Sequence, residues 1–228
     1  MVNDDPQALL RPGLLEGIAI VLAGGGRELA PASGLAAAVG ELCAGLGAGV
    51  AHAGASTDGD PEQREAATGA ALDEALAELG GASVGIVDGA GLFERAERRP
   101  ALLETLQACW ELTRALAVRA FIPGSAGGRI VLLAPRSLPG AGHAAAAAAG
   151  LENLARTLSI EWARYGITVV AVAPGAETTR EEVAALCAWL ASPAGAYFSG
   201  CLLDLAGPRA AGGRSAGAGP SGPAPGVG

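Results

Sequence analysis

Short, unbroken apolar runs alternate along this chain with longer segments of helical period. Gly17–Ala23 (GIAIVLA), Ala82–Asp88 (ASVGIVD), Gly128–Ala134 (GRIVLLA) and Ile167–Ala173 (ITVVAVA) have the length and the Val/Ile content of buried strands. Ala48–Ala53 (AGVAHA) and Cys201–Leu205 (CLLDL) read as shorter ones. Helices are predicted between them over Ser33–Leu46, Pro61–Leu79, Pro100–Ala120, Ala144–Tyr165 and Arg180–Leu190. Ser33 is a candidate N-cap, Thr57–Asp60 a polar turn, and Pro61 suits a first helical turn. A strand without polar alternation is buried on both faces. Such strands between helices predict a parallel sheet with helices on both sides.

The 228 residues suffice for one sizeable core, which we place over 17–207, after an N-terminal extension (1–16). From Pro208 the chain is Gly, Ala, Pro and Ser with two arginines and one valine, a composition that predicts a disordered tail over 208–228. Half the residues are apolar and only 4% are aromatic, so the core packs through Ala, Gly, Leu and Val.

A net charge of −8 argues against general nucleic-acid binding, which needs a basic face. All fifteen basic residues are arginine. The absence of lysine excludes a Walker-type phosphate lysine, a Schiff base and a lysine general base. Cys43, Cys109, Cys187 and Cys201 fit no metal-binding spacing and lie among apolar neighbours, so they are expected as buried thiols and no metal is expected. The polar, acidic Met1–Pro6 resembles no secretory signal, and no apolar run reaches transmembrane length. A soluble cytoplasmic protein is the expectation.

The second half carries more specific signals. Gly150-Leu151-Glu152-Asn153-Leu154-Ala155-Arg156-Thr157-Leu158, followed by Glu161 and Tyr165-Gly166-Ile167-Thr168-Val169, resembles the central helix and next strand of the short-chain dehydrogenase/reductase family. Ala173-Pro174-Gly175 resembles its Pro-Gly turn beside the nicotinamide. Asp88-Gly89-Ala90-Gly91 resembles its Asn-Asn-Ala-Gly segment, and Phe198-Ser199-Gly200 leads into a similar last strand. In order and spacing the resemblance covers 17–207. It implies a doubly wound Rossmann-type α/β fold, a nicotinamide cofactor and oxidoreductase activity.

The resemblance also locates what is missing. In the family a tyrosine lies four residues before a lysine on the central helix. The lysine lowers the tyrosine pKa and holds the cofactor ribose, while the tyrosine exchanges a proton with substrate during hydride transfer. With Gly150-Leu151 fixing the register, these positions fall on Ala144 and Ala148. The serine position, at the end of a strand, falls on Ala134 and Pro135, and the helix asparagine on Thr105. His143 adjoins the tyrosine position and is the remaining acid/base candidate, although one residue is about 100° of helix. Ser137 reads as a turn residue.

The first turn departs from the pattern as well. A dinucleotide site needs glycines where backbone approaches pyrophosphate. Aligning Gly34-Leu35 with the family's Gly-Ile puts Ala36 and Ala30 at glycine positions, while Gly24, Gly25 and Gly26 lie upstream. The candidate cofactor contacts are Gly24, Gly26, Arg27 (a possible anion clamp), Gly34, Gly89, Ala90, Pro174 and Gly175. Between Ala53 and Ala82 there is room for one helix, where the family fits helix, strand and helix. The expected sheet therefore has six strands, one fewer than the family, in spatial order 2-1-3-4-5-6. After Pro174-Gly175 the chain runs through Ala176-Glu177-Thr178-Thr179 into the next helix, without the family's substrate lid.

The resemblance further implies pairing with a partner subunit through the helices 100–120 and 144–165. On the second, Leu151, Leu154, Leu158 and Trp162 are expected to face the sheet. Ala145, Ala148, Ala149, Glu152 and Ala155 are expected to leave a low-profile surface for another helix. Three functions follow: a catalytically silent structural or regulatory subunit of a homo- or hetero-oligomer, a divergent NAD(P)-dependent oxidoreductase, and a small-molecule or nucleotide binding module.

Overall fold

The computed structural model describes residues 6–24, 34–56, 59–95, 101–124, 126–136 and 142–206. Six strands form one parallel sheet: β1 (Ala19–Gly24), β2 (Gly49–Gly54), β3 (Val84–Asp88), β4 (Gly128–Leu133), β5 (Ile167–Ala173) and β6 (Cys201–Asp204). Their order is β2-β1-β3-β4-β5-β6, as expected, and all five pairings are parallel. Among the described residues between Gly54 and Ala82 there is a helix and no strand, so β2 is an edge of the sheet.

The helices are α1 (Leu35–Gly45), α2 (Pro61–Leu79), α3 (Gly89–Arg95), α4 (Ala101–Leu116), the short α5 (Ile122–Gly124), α6 (Gly142–Glu161) and α7 (Arg180–Ala191). Alternate strand residues point to opposite faces. Val21, Val87, Ile130, Leu132 and Val169 meet α2, α4 and α6, whereas Ile20, Leu22, Ile86, Val131 and Val172 meet α1 and α7. Burial on both faces is why the strands read as continuous apolar runs.

Helix ends follow local chemistry. The Asp60 carboxylate accepts the Gln63 N–H at 2.9 Å and the Gln63 side chain accepts the Asp60 N–H at 3.2 Å, a reciprocal cap with Pro61 in the first turn. Thr179 and Glu182 cap α7 in the same way. The N-cap of α1 is Gly34, with no side-chain cap bond, rather than the expected Ser33, which lies outside the described residues. The long helix expected to Ala120 is α-helical only to Leu116 and widens into a π turn over Ala117–Phe121. Residues 6–16, the described part of the expected extension, pack Leu15 into the α1/α7 layer, where its N–H donates to the Leu46 carbonyl at 3.0 Å.

Helix α6 departs from expectation in one respect. Leu151 and Leu158 are fully buried, and Leu154 and Trp162 are half-buried against the same cluster. Ala148 and Ala155, assigned to the outer surface, belong to the buried cluster. Glu152 is half-buried and ion-paired with Arg156. The cause is breadth: α6 lies between sheet and α4, so its buried face is wider than one stripe of leucines. Ala145 and Ala149 do face outward.

Cys43, Cys109 and Cys187 are buried as expected, while Cys201 on the edge strand β6 is only half-buried. Burial pushes the Cys43 and Cys109 thiols from 9.0 up to about 12, and Cys187 rises too. Between these values the folded chain binds more protons than the unfolded one. Stability is therefore expected to fall as pH rises above about 9, by up to about 1.4 kcal/mol per pH unit for each buried thiol. Urea unfolding from pH 8 to 11 checks this, and Cys109→Ala should make the decline shallower.

Candidate functional site

Because the sheet is parallel, the C-terminal ends of β1, β3, β4 and β5 gather at one edge, where open α/β sheets hold ligands. Gly24 ends β1 with φ +124°, a conformation that favours glycine. A Cβ there would lie 3.3 Å from both the Cβ and the carbonyl oxygen of Asp88, so β1 closes directly onto the end of β3. The Asp88 side chain is buried and accepts the Gly91 N–H at 2.9 Å, starting α3.

Gly89 sits in the same contact. A Cβ on it would lie 2.7 Å from the Leu133 carbonyl oxygen, 2.9 Å from Leu151 Cδ1 and 3.1 Å from Cys109 Sγ. Ala90 is buried. Gly89 is thus packed against β4, α4 and α6. Gly34 differs, since a Cβ there would meet nothing within 4 Å. Gly26, Arg27 and Ala30 of the first turn, and Ser137 after β4, lie outside the described residues.

At the end of β5 the turn is held from within. Pro174 and Gly175 are buried. The Gly175 N–H donates to Thr178 Oγ1 at 2.9 Å, and that hydroxyl donates to the Leu205 carbonyl at 3.1 Å. Arg136, just past β4, donates from Nη1 to the carbonyls of Gly175 (2.5 Å), Ala176 (3.1 Å) and Thr178 (2.6 Å). The polar groups of this turn are bonded to the chain itself. Only six residues separate Ala173 from Arg180, so no lid intervenes.

The active-site positions implied by the resemblance lie on buried faces. Ala144 and Ala148, on consecutive turns of α6, are 4% and 8% exposed. Ala134 and Pro135 are buried at the end of β4. Thr105 is buried on α4, and its Oγ1 has no hydrogen-bond partner. His143 is exposed, about 100° around α6 from Ala144. Burial pushes the Cys109 thiol up to about 12, with the nearby Asp88 carboxylate adding to the shift.

The described part of the crevice does not fit a nicotinamide dinucleotide working as a hydride carrier. The turn after β5 is internally bonded, Gly89 is filled by packing, and Ala144 stands where the resemblance calls for a proton donor. Sequence reasoning missed two parts of this site. Helix α3 is signalled by Asp88 before Ala90-Gly91-Leu92-Phe93, a capping residue ahead of an apolar segment. The Arg136 clamp carries no local signal, because its acceptors lie about forty residues further on. Among the described residues no cluster of His, Cys, Asp and Glu could hold a metal, and no helix is long and apolar enough to cross a membrane.

The architecture is the Rossmann-like fold of the short-chain dehydrogenases. A citronellol catabolism dehydrogenase of Pseudomonas aeruginosa PAO1 superposes with a TM-score of 0.65 at 25% identity, over 87% of this chain and 98% of that one. A short-chain dehydrogenase of Mycobacterium smegmatis superposes at 0.69 with 24% identity, over 87% and 95%. In sequence the chain is similar to the probable 2,4-dienoyl-CoA reductase of Bacillus subtilis (strain 168), 34% identical over 124 residues, 40% of this chain and 49% of that protein. The match spans about half the length of that relative. No protein-family model matches. The structural neighbours share the fold described above, and the sequence similarity to the Bacillus reductase covers less than half of this chain.

Proposed function

We propose that this chain is a catalytically silent member of the short-chain dehydrogenase/reductase family that serves as a structural or regulatory subunit of an oligomer. The observation carrying the proposal is that Ala144 and Ala148 stand on the buried face of α6, where the resemblance calls for tyrosine and lysine. Without them, hydride delivered to a carbonyl would leave an alkoxide with no proton donor. Loss of a general acid alone costs about 10²–10⁴ in rate. The surfaces free to meet a partner, homologous or identical, are the outward faces of α4 and α6.

The experiment is steady-state turnover of NADH and NADPH with ketones, aldehydes and enoyl or oxoacyl thioesters, beside calorimetric titration of the dinucleotides. Background rates and no micromolar binding are expected. Turnover that disappears in His143→Ala would instead make this a divergent oxidoreductase. That second reading draws on the reductase name of the Bacillus relative. Tight dinucleotide binding without turnover would favour a binding module, and Arg27→Ala should then weaken it.

A further inference from the structure

The β4/β5 ladder ends where the Ala134 N–H donates to the Val172 carbonyl at 2.8 Å, and one side chain continues the connection beyond it. Arg136 reaches across from the end of β4. Its Nη1 lies 2.5 Å from the Gly175 carbonyl oxygen, 2.6 Å from that of Thr178 and 3.1 Å from that of Ala176. Nη1 carries two hydrogens for three acceptors, so at least one hydrogen is shared. Among the described residues no carboxylate lies within ion-pair distance of Arg136. Within that set the cation is held by neutral carbonyl dipoles.

The turn is also fixed by contacts that do not involve Arg136. The Gly175 N–H is bonded to the Thr178 hydroxyl, which is bonded in turn to the Leu205 carbonyl, and the Leu205 N–H donates to the Ala173 carbonyl at 2.9 Å. Gly175 is pressed against the chain after β6, where a Cβ would overlap the Ala206 Cα. The next helix starts with its own reciprocal cap from Thr179 and Glu182. Three carbonyls therefore converge on one point and are held there by the surrounding chain. Acceptors ordered in advance bind a cation with little further loss of entropy. A planar guanidinium presents N–H donors at fixed angles, whereas a bare metal cation presents charge without them.

We infer that the turn 175–178 is a guanidinium-binding cage and that Arg136 is its tethered ligand, a bolt that shuts the crevice between the ends of β4 and β5 from within. Two consequences follow from the geometry. Withdrawing the side chain loosens the turn, because β4 loses its hold on the segment that leads into α7. It also leaves the carbonyls gathered, so a free guanidinium enters the cage in place of the side chain. The inference goes beyond the subunit role and does not depend on it, since it concerns only how this edge of the sheet is closed.

The test uses the full chain. Arg136→Ala should lower the melting temperature by about 5 °C. Methylguanidinium chloride at about 20 mM should return roughly 2–4 °C of that loss, and none to the unmodified chain, whose cage is filled. At that concentration the denaturing action of a guanidinium salt is small. Sodium chloride is the blank. A local readout accompanies the melts, because Glu177 is exposed in the turn. Cleavage after it by a glutamate-specific protease should be about 10-fold faster in Arg136→Ala, and slowed again by methylguanidinium. Arg136→Met keeps the aliphatic stem without the donors, and it tests the bolt by the same melt and cleavage should Arg136→Ala not fold. Arg136→Met as stable and as resistant as the unmodified chain would overturn the bolt. An Arg136→Ala chain that does not respond to methylguanidinium, or responds equally to potassium chloride, would overturn the guanidinium cage.

Discussion

Gly89→Ala is expected to cost about 2–3 kcal/mol of folding stability and to lower the melting temperature by roughly 6–9 °C. The new methyl group would lie 2.7 Å from the Leu133 carbonyl oxygen, which belongs to the backbone of the buried strand β4 and cannot rotate away. It would also press on Leu151 Cδ1 and Cys109 Sγ, from two helices at once. Gly34→Ala is the control, since the same group there meets nothing within 4 Å and φ is −92°. Its effect should stay within about 0.5 kcal/mol. If the thermal melts reversed this order, Gly89 would not be a packing glycine. Its missing side chain would then leave room for something outside the chain, which would reopen the crevice to a ligand.

The fold was legible because both layers of the core write the same signal. Each strand carries apolar residues on both faces, so Ile167–Ala173 could be read to its ends, and Pro61–Leu79 is bounded by its own capping residues. The missing strand was legible as a length: among the described residues, the segment between β2 and β3 holds one helix and no strand. Burial on α6 was less legible. Alanine at 145, 148, 149 and 155 looks the same in sequence, yet Ala148 and Ala155 are core while Ala145 and Ala149 face water. A residue with no charge and little volume records nothing about its surroundings. The clamp from Arg136 to the Gly175 turn and the unpartnered Thr105 hydroxyl are tertiary facts, fixed by strands that meet only in the folded sheet.

The same position on α6 supports the other large prediction. Ala148→Lys introduces the side chain that the resemblance calls for there, and it is expected to destabilise the fold rather than prepare it for a cofactor. Ala148 is 8% exposed and belongs to the cluster containing Cys109, Ala134 and Leu151. An ammonium buried there without an ionic partner costs about 3–5 kcal/mol. Ala148→Met adds similar length without charge and should cost only the overpacking, about 1–3 kcal/mol. The difference between the two variants isolates the charge from the volume. It also has a sign in pH. Burial lowers the amine below its usual value of about 10.4, so the folded variant binds fewer protons than its unfolded chain in the intervening range. Its stability relative to Ala148→Met should therefore rise with pH between the lowered value and about 10.4. Urea unfolding of both variants between pH 6 and 9 measures this. Equal stability at neutral pH, with no pH-dependent difference, would mean that the charged group reaches water or an acceptor. The face of α6 around Ala148 would then border an accessible crevice, the condition under which a bound dinucleotide becomes reasonable again.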